Sequence, residues 1–224
     1  MISGIIFDLD GTLLDTLEDI ADNLNEVLCR FGYPRRGLNE YRLLIGHGMR
    51  TLVKRALPGE AQYPGEVEDI ISAYLDLYRR GWAVKTRPYD GIPEVLAQAE
   101  QSRLALAVLS NKRDEFTQKM VPHFFPERRF NLVLGVGASD RFPPKPDPAA
   151  ALFISERLSL APERFIYIGD SDVDMRTARS ANMLAVGAAW GFRSREELVG
   201  AGAQAVLDHP RELMPFIRGV NSNG

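Results

Sequence analysis

The chain has 224 residues, of which 27 are basic and 30 acidic, for a formal net charge of −3, and 45% are hydrophobic. This composition is typical of a globular protein with one large domain or a core and a smaller insertion, and the charge balance gives no basis for nucleic-acid or anionic-membrane binding. The single cysteine, Cys29, excludes an internal disulfide and a multi-cysteine zinc site, and no apolar run approaches the roughly 20 residues of a membrane span. Since the N-terminal segment also lacks the basic region of a signal peptide, we expect a cytoplasmic protein.

Short apolar runs that end abruptly at polar residues or glycine predict buried strands. Their near-continuous apolar character, without alternation, is typical of a parallel sheet covered on both faces. Segments with helical periodicity separate the later runs, and Asp147-Pro148 and Ser194 supply helix-start signals. The alternation predicts an α/β fold with a doubly wound, mostly parallel sheet. The predicted strands are residues 2–7, 104–109, 131–134, 165–168, 184–186 and 205–207.

The stretch after the first strand carries helical patterning only. One apolar stripe runs through residues 17–31, and further helical candidates follow at residues 39–45, 49–57 and 67–78. We therefore expect a small helical cap domain at residues 15–82, inserted into an α/β core domain made of residues 1–14 and 83–224. Cys29 falls on the first stripe, which predicts a buried, unreactive thiol.

Asp8 and Asp10 directly follow the first predicted strand, at the sheet edge where open α/β sheets bind their ligands. Their spacing of two lets both carboxylates leave the strand end close together, and Gly11 permits a tight turn. One carboxylate can then act as a nucleophile and the other as a general acid and base. Taken alone, the same pattern also fits a solvated acidic turn.

Asp170, Asp172 and Asp174 follow another predicted strand. Three acids within five residues repel one another unless a cation neutralises them, and hard oxygen ligands suit Mg²⁺. A calcium-binding EF-hand loop is excluded, because Met175 and Ala181 stand where that loop needs glycine and glutamate.

Two further polar clusters predict phosphate binding. Ser110 and Asn111 end the strand at residues 104–109, where a hydroxyl, an amide and a helix start can hold a phosphate, although a helix cap explains them equally well. Lys145 lies among four prolines, whose stiff backbone would hold its ammonium in one place. A fixed ammonium can balance a phosphoryl group and carboxylates, whereas an ordinary surface lysine is the alternative.

Taken together and in this order, the four clusters resemble the motifs of the haloacid dehalogenase-like (HAD) superfamily. The matching residues run from Asp8 to Asp174, and the helical segment after the first cluster is similar to that family's small cap. The resemblance implies that Asp8 is the nucleophile, Asp10 the general acid and base, and Lys145 the neutralising cation.

The resemblance also implies a set of binding residues. Thr12, Ser110 and Asn111 would surround the phosphoryl group. Mg²⁺ would bind Asp8, the backbone carbonyl of Asp10 and Asp170, with Asp174 at the ion or directly behind it.

The acid at position 10 is typical of phosphatases and phosphomutases in this superfamily, because dehalogenases have no alkoxide to protonate. Residues 44–50 and 110–112 look most like the phosphoglycolate phosphatase group. A substrate that carries a carboxylate would need a cation in the cap, and the candidates are His47, Arg50 and Lys54. Each of them also fits a solvated helix face or a turn.

We therefore expect a Mg²⁺-dependent phosphatase that hydrolyses a small phosphorylated metabolite, with phosphoglycolate as the best single candidate. The alternatives are a phosphosugar mutase or a pyrophosphatase on the same core, or a catalytically inactive binding protein of this fold. The expected partners include no nucleic acid and no membrane, and the expected state is a monomer or a homodimer.

Overall fold

The structure is a computed structural model that describes residues 1–59 and 65–222. In this part of the chain, strands and helices alternate over most of the length. The strands are β1 (Gly4–Phe7), β2 (Leu14–Asp15), β3 (Arg87–Pro88), β4 (Ala105–Arg113), β5 (Leu132–Gly137), β6 (Phe165–Gly169), β7 (Leu184–Ala188) and β8 (Ala205–Leu207). The helices are α1 (Leu17–Arg30), α2 (Leu38–Leu44), α3 (Met49–Ala56), α4 (Glu66–Gly81), α5 (Ile92–Gln101), α6 (Asp114–Phe124), α7 (Ala149–Arg157), α8 (Asp172–Ser180), α9 (Arg195–Gly200) and α10 (Leu213–Ser222).

Six strands form one parallel sheet in the order β5-β4-β1-β6-β7-β8. These are the six strands that the apolar runs predict, so the α/β fold with a doubly wound, parallel sheet is confirmed. The chain moves outward from β1 to β5 on one side and then returns to fill the other side from β6 to β8. The order therefore reverses between β1 and β6, which is where such sheets bind ligands.

The core is built on both faces of this sheet, because successive side chains of a strand point to opposite sides. Ile5 and Phe7 of β1 belong to the apolar cluster that also contains side chains of α5, α6 and α10. Ile6, between them, belongs to a second cluster with side chains of α7, α8 and α9. Burial on both faces explains why β1 reads as a continuous apolar run.

Helices α1 to α4 form a helical insertion (residues 17–81) between the short strands β2 and β3. These two strands pair antiparallel at the base of the insertion, with Leu14 opposite Pro88 and Asp15 opposite Arg87. Asp19 of α1 strengthens this base, because its carboxylate accepts hydrogen bonds from the backbone N–H groups of Lys85 and Thr86. Strands β2 and β3 were not predicted, because two-residue strands are too short to carry a periodic pattern.

The expectation of a buried Cys29 is wrong, because its thiol is exposed. Val27 and Leu28 occupy the buried face at the last turn of α1, and the next position of the helix turns toward solvent. The sequence analysis also omitted α6 and α10. Within the described residues, no helix combines the length and the apolar character that a bilayer crossing requires.

Candidate active site

Asp8 lies at the carboxyl end of the central strand β1. Its backbone N–H donates to the carbonyl of Ile168 on β6 (2.9 Å), so the parallel pairing continues one residue past the strand. The side chain is 5% exposed, and its Oδ1 accepts a hydrogen bond from the Leu9 N–H (2.7 Å). Oδ1 also lies 2.9 Å from the Nζ of Lys145. The carboxylate is thus buried, oriented and paired with a cation.

Lys145 brings a buried ammonium between two carboxylates. Its Nζ lies 2.6 Å from Oδ1 of Asp174 and donates to the carbonyl of Leu109 (3.3 Å). Asn111 holds the backbone of this lysine: its Oδ1 accepts from the Lys145 N–H (2.8 Å), and its Nδ2 donates to the Lys145 carbonyl (3.1 Å). In this structure Asn111 therefore positions the proline-rich loop that carries the ammonium.

Asp8, Asp170 and Asp174 form a buried acidic cluster. One carboxylate oxygen from each lies within 4.8 Å of the others, a spacing at which three carboxylates can hold one metal ion. The Phe192 N–H donates to Oδ2 of Asp170 (2.7 Å), and Thr12 Oγ1 donates to its Oδ1 (3.4 Å). These hydrogen bonds hold the Asp170 carboxylate toward the other two.

Gly11 lets the loop after β1 approach Asp170. Its φ is +80°, and a Cβ at this position would lie 2.2 Å from Oδ2 of Asp170. Any other residue would therefore collide with the carboxylate and strain the backbone. Glycine is therefore required at position 11, because the loop that follows Asp8 and Asp10 passes so close to Asp170.

The electrostatics of the cluster favour the binding of a cation. Burial, together with repulsion from Asp174, raises the pKa of Asp8 from 3.8 to about 7. Burial and the same neighbour raise the pKa of Asp170 well above 3.8. For Lys145, burial by itself lowers the pKa, but Asp174 and Asp8 outweigh it and the pKa lies well above 10.5. One ammonium among three buried carboxylates leaves an excess of negative charge that a divalent cation would neutralise.

Asp10 carries the second carboxylate of the first cluster, and it is paired with Lys112. The Lys112 Nζ donates to both carboxylate oxygens, at 3.0 and 2.9 Å, and both side chains are largely buried. Strand β4 reaches this point because it continues to Arg113, with an irregular register between Ser110 and Arg113. Such a bulge turns side chains away from the regular alternation, which brings Lys112 beside Asp10.

A cavity of about 50 Å³ lies between the sheet edge and the helical insertion. The sheet side contributes polar residues and the insertion contributes mostly apolar and aromatic ones, so the cavity is lined by both parts of the fold. The lining residues include Asp8, Asp10, Ser110, Lys112, Arg113, Tyr74 and Tyr78. Tyr74 and Tyr78 of α4 stack on each other with ring centroids 5.2 Å apart.

The cationic residues expected in the cap lie elsewhere. His47 Nε2 is 3.4 Å from Oδ1 of Asp172, and burial lowers the pKa of His47 below 6.5 although Asp172 opposes this shift. Arg50 pairs with Glu68 at 2.6 Å on the exposed surface of the insertion. Neither side chain lines the cavity.

The structure thus brings most of the predicted site residues together at the edge of the sheet, and it places His47 and Arg50 away from them. The group at the sheet edge comprises Asp8, Asp10, Thr12, Ser110, Asn111, Lys145, Asp170 and Asp174. The sequence analysis assigned no role to Lys112, Tyr78 or the backbone of Phe192. Lys112 could have been identified from the sequence, because it stands two residues after Ser110. The position of Tyr78 could not, because it depends on how the insertion packs on the core.

The comparisons with known proteins agree on one family. The model of the haloacid dehalogenase-like hydrolase family matches residues 5–188. Phosphoglycolate phosphatase 1 of Pseudomonas aeruginosa is 31% identical over 215 residues, which cover 94% of this chain and 78% of that protein. N-acetylmuramic acid 6-phosphate phosphatase of the same organism is 32% identical over 217 residues, which cover 96% and 95%.

A solved structure agrees with these matches. The crystal structure of a predicted phosphoglycolate phosphatase from Haemophilus somnus superposes with a TM-score of 0.89 at 25% identity. The superposition covers 96% of this chain and 98% of the other, so it includes both the sheet and the helical insertion.

Proposed function

The chain belongs to the haloacid dehalogenase-like hydrolase family and is a phosphoric monoester hydrolase, and we propose that it uses Mg²⁺ and an aspartyl-phosphate intermediate to hydrolyse phosphoglycolate. The observation that carries this proposal is the convergence of Asp8, Asp10 and Lys145 at one end of the sheet. A nucleophile, a proton donor and a neutralising cation then meet at a cavity that opens between the core and the insertion.

In the first half of the proposed reaction, an oxygen of Asp8 attacks the phosphorus and the ester P–O bond breaks. An anionic carboxylate approaches an anionic phosphate only where nearby positive charge offsets their repulsion, and the Lys145 ammonium 2.9 Å from Asp8 supplies part of it. Asp10 lines the same cavity and gives its proton to the departing alkoxide, which leaves as an alcohol.

In the second half, the deprotonated Asp10 removes a proton from a water molecule that attacks the phosphorus. The bond between phosphorus and Asp8 breaks, inorganic phosphate leaves, and Asp8 recovers its carboxylate. The insertion lines the cavity with aromatic and apolar side chains, which would limit the access of bulk water and favour transfer to one oriented water.

Asp8, Asp170 and Asp174 fit a Mg²⁺ site, because they offer three oxygen ligands within 4.8 Å of one another and, when all are ionised, carry more negative charge than Lys145 offsets. The backbone carbonyl of Asp10 is a further candidate ligand. When bound, Mg²⁺ would neutralise charge on the phosphoryl oxygens and on the acidic cluster. Asp174 would also keep Lys145 in position, since the two are 2.6 Å apart.

The proposed substrate rests on the relatives. The P. aeruginosa relative is named a phosphoglycolate phosphatase, and a similar crystal structure is described as that of a predicted phosphoglycolate phosphatase.

N-acetylmuramic acid 6-phosphate is a second candidate substrate. The relative named for it is 32% identical and is covered over 95% of its length, so the two chains are nearly coextensive. Faster hydrolysis of this ester than of phosphoglycolate would favour this second candidate.

Initial rates on both esters test the proposal, with Mg²⁺ present or removed by EDTA. We expect Mg²⁺-dependent release of phosphate that is fastest with phosphoglycolate, and no release by the Asp8→Asn variant. Pyrophosphate as the best substrate, or conversion of a sugar phosphate into its isomer, would favour the pyrophosphatase or mutase alternatives. Absence of turnover on any ester would favour an inactive binding protein.

A further inference from the structure

Lys112 is the cation that faces the cavity. It and Arg113 are the basic side chains among the described residues that line the cavity, and Arg113 Nε is directed to Glu115 at 3.0 Å. The Lys112 side chain is only 7% exposed, so its charge is shielded from solvent. A second anionic group on a bound ester would therefore find Lys112 as its natural partner.

The ammonium of Lys112 has capacity for a further acceptor. Lysine carries three N–H donors. Among the described residues it has two acceptor atoms, the oxygens of Asp10 at 3.0 and 2.9 Å. One donor can therefore bind a ligand oxygen while Lys112 stays hydrogen-bonded to Asp10, which brings that oxygen close to the carboxyl group proposed to protonate the leaving group.

Tyr78 of α4 completes this side of the cavity from the insertion. The Lys112 Nζ lies 5.0 Å from the centroid of the Tyr78 ring, a distance that favours a cation–π contact. The Tyr78 hydroxyl is buried and has no hydrogen-bond partner in the described structure, although buried polar groups are normally paired. Its ring borders the cavity beside the Lys112 ammonium.

We propose that Lys112, held between Asp10 and the Tyr78 ring, is the specificity-determining residue that binds a carboxylate of the substrate. This inference rests on the proposed function, because it assumes that the phosphoryl group of the same molecule lies against Asp8. The substrate class is then a phosphate ester with a carboxylate close to the ester oxygen, since Lys112 contacts both the cavity and Asp10.

This assignment differs from the one that the sequence favours. His47 and Arg50 are directed to Asp172 and Glu68, so each already has an acidic partner away from the cavity. Lys112 belongs to the core strand β4, whereas the Tyr78 ring that it contacts belongs to the insertion. Substrate recognition would thus need the insertion to be closed over the sheet edge.

Two non-hydrolysable ligands of equal length test the proposal by calorimetric binding. 3-Phosphonopropionate replaces the ester oxygen of phosphoglycolate with a methylene group, and propylphosphonate has a methyl group in place of the carboxylate. We expect the wild-type protein with Mg²⁺ to prefer the carboxylate ligand, and the Lys112→Met variant to lose about tenfold to a hundredfold of that preference, as for a charge-assisted hydrogen bond. Lys112→Arg should retain part of the preference.

Lys119→Met is the matched control, because Lys119 is an exposed lysine on the adjoining helix α6. It should keep the wild-type preference. An unchanged preference in Lys112→Met, or an equal loss of affinity for both ligands, would overturn the role of Lys112. If neither ligand binds the wild-type protein while other phosphate esters are hydrolysed, the phosphoglycolate proposal itself fails. Thermal unfolding of each variant checks that the fold is retained.

Discussion

The ammonium of Lys145 lies 2.9 Å from the carboxylate of Asp8, and both groups are almost fully buried. The two residues come from distant parts of the chain, the end of the central strand β1 and a proline-rich loop before α7. Asp174 lies 2.6 Å from the same ammonium, so a single cation contacts two carboxylates. Removal of any one of these three charges should change both the stability of the protein and its reactivity.

Lys145→Met should destabilise the protein and abolish turnover. The substitution leaves buried carboxylates without their cation, which costs about 3–5 kcal/mol in comparable buried pairs. The loss of a charge at the proposed phosphoryl position should lower kcat by about a hundredfold or more. Urea unfolding in EDTA and initial rates with Mg²⁺ measure the two effects. Lys119→Met, at an exposed position of α6, should change neither, and a stable, active Lys145→Met variant would contradict the account.

Asp10→Asn should slow the reaction to a degree that depends on the leaving group. A poor leaving group such as the alkoxide of phosphoglycolate needs a proton, whereas p-nitrophenolate leaves readily without one. We expect the first phosphoryl transfer from phosphoglycolate to slow by about a hundredfold or more, as for loss of general acid catalysis, and that from p-nitrophenyl phosphate to slow much less. Single-turnover kinetics separate this step from the later hydrolysis, and equal losses for both esters would exclude Asp10 as the proton donor.

The stabilising effect of Mg²⁺ should increase with pH. Asp8 has a pKa of about 7 in the folded protein and an ordinary value of 3.8, so the metal-free folded state binds more protons than the unfolded state between these values. The contribution of Asp8 to stability is therefore present below about pH 4 and is lost as the pH rises through 7. Mg²⁺ requires the ionised carboxylate, so at low pH its binding must displace a proton.

Thermal unfolding with excess Mg²⁺ and with EDTA, at about pH 5 and about pH 8, measures this coupling. The increase in Tm on adding Mg²⁺ should be larger at the higher pH. Asp8→Asn should reduce the increase and the part of its pH dependence that comes from Asp8, because the asparagine does not titrate. An equal increase at both pH values in the wild-type protein would count against a metal ion at Asp8.

Gly191→Ala should disturb the acidic cluster, because the added methyl group would collide with Asp170. A Cβ at this position would lie 2.3 Å from Cβ of Asp170 and 2.4 Å from the carbonyl oxygen of Gly11, and neither neighbour has room to move freely. We expect a loss of about 1–3 kcal/mol in the free energy of unfolding, as for overpacked sites, and weaker Mg²⁺ binding. Gly219→Ala in α10 is the control, because nothing lies within 4 Å of a Cβ there. Equal stability of the two variants would contradict this packing argument.

The strands and the polar clusters at their ends could be predicted because the information is local. A strand buried on both faces must be apolar at every position, so β1, β4 and β6 stand out in the sequence. The polar residues directly after them then share one edge of the sheet. Asp8 and Asp170 can therefore be placed near each other from the sequence alone.

The contacts between the insertion and the core could not be predicted in the same way. Whether Tyr78, Arg50 or His47 faces the cavity depends on the rotation and tilt of helices that pack through non-local contacts. The pairing of Lys112 with Asp10 depends in addition on the irregular register of β4 after Ser110, which no periodicity reveals. The sequence offered His47 and Arg50 as cations for the substrate, whereas Lys112 and Tyr78, to which it gave no role, line the cavity.

The central claim is that Asp8 is phosphorylated during turnover. Rapid quenching of the enzyme with phosphoglycolate and Mg²⁺, followed by borohydride reduction, converts an aspartyl phosphate into homoserine, which peptide mass spectrometry can locate. The account predicts homoserine at position 8 of the wild-type protein and none in Asp8→Asn. Homoserine at Asp10 or Asp170, or active turnover with Asp8 unmodified at every quench time, would contradict it.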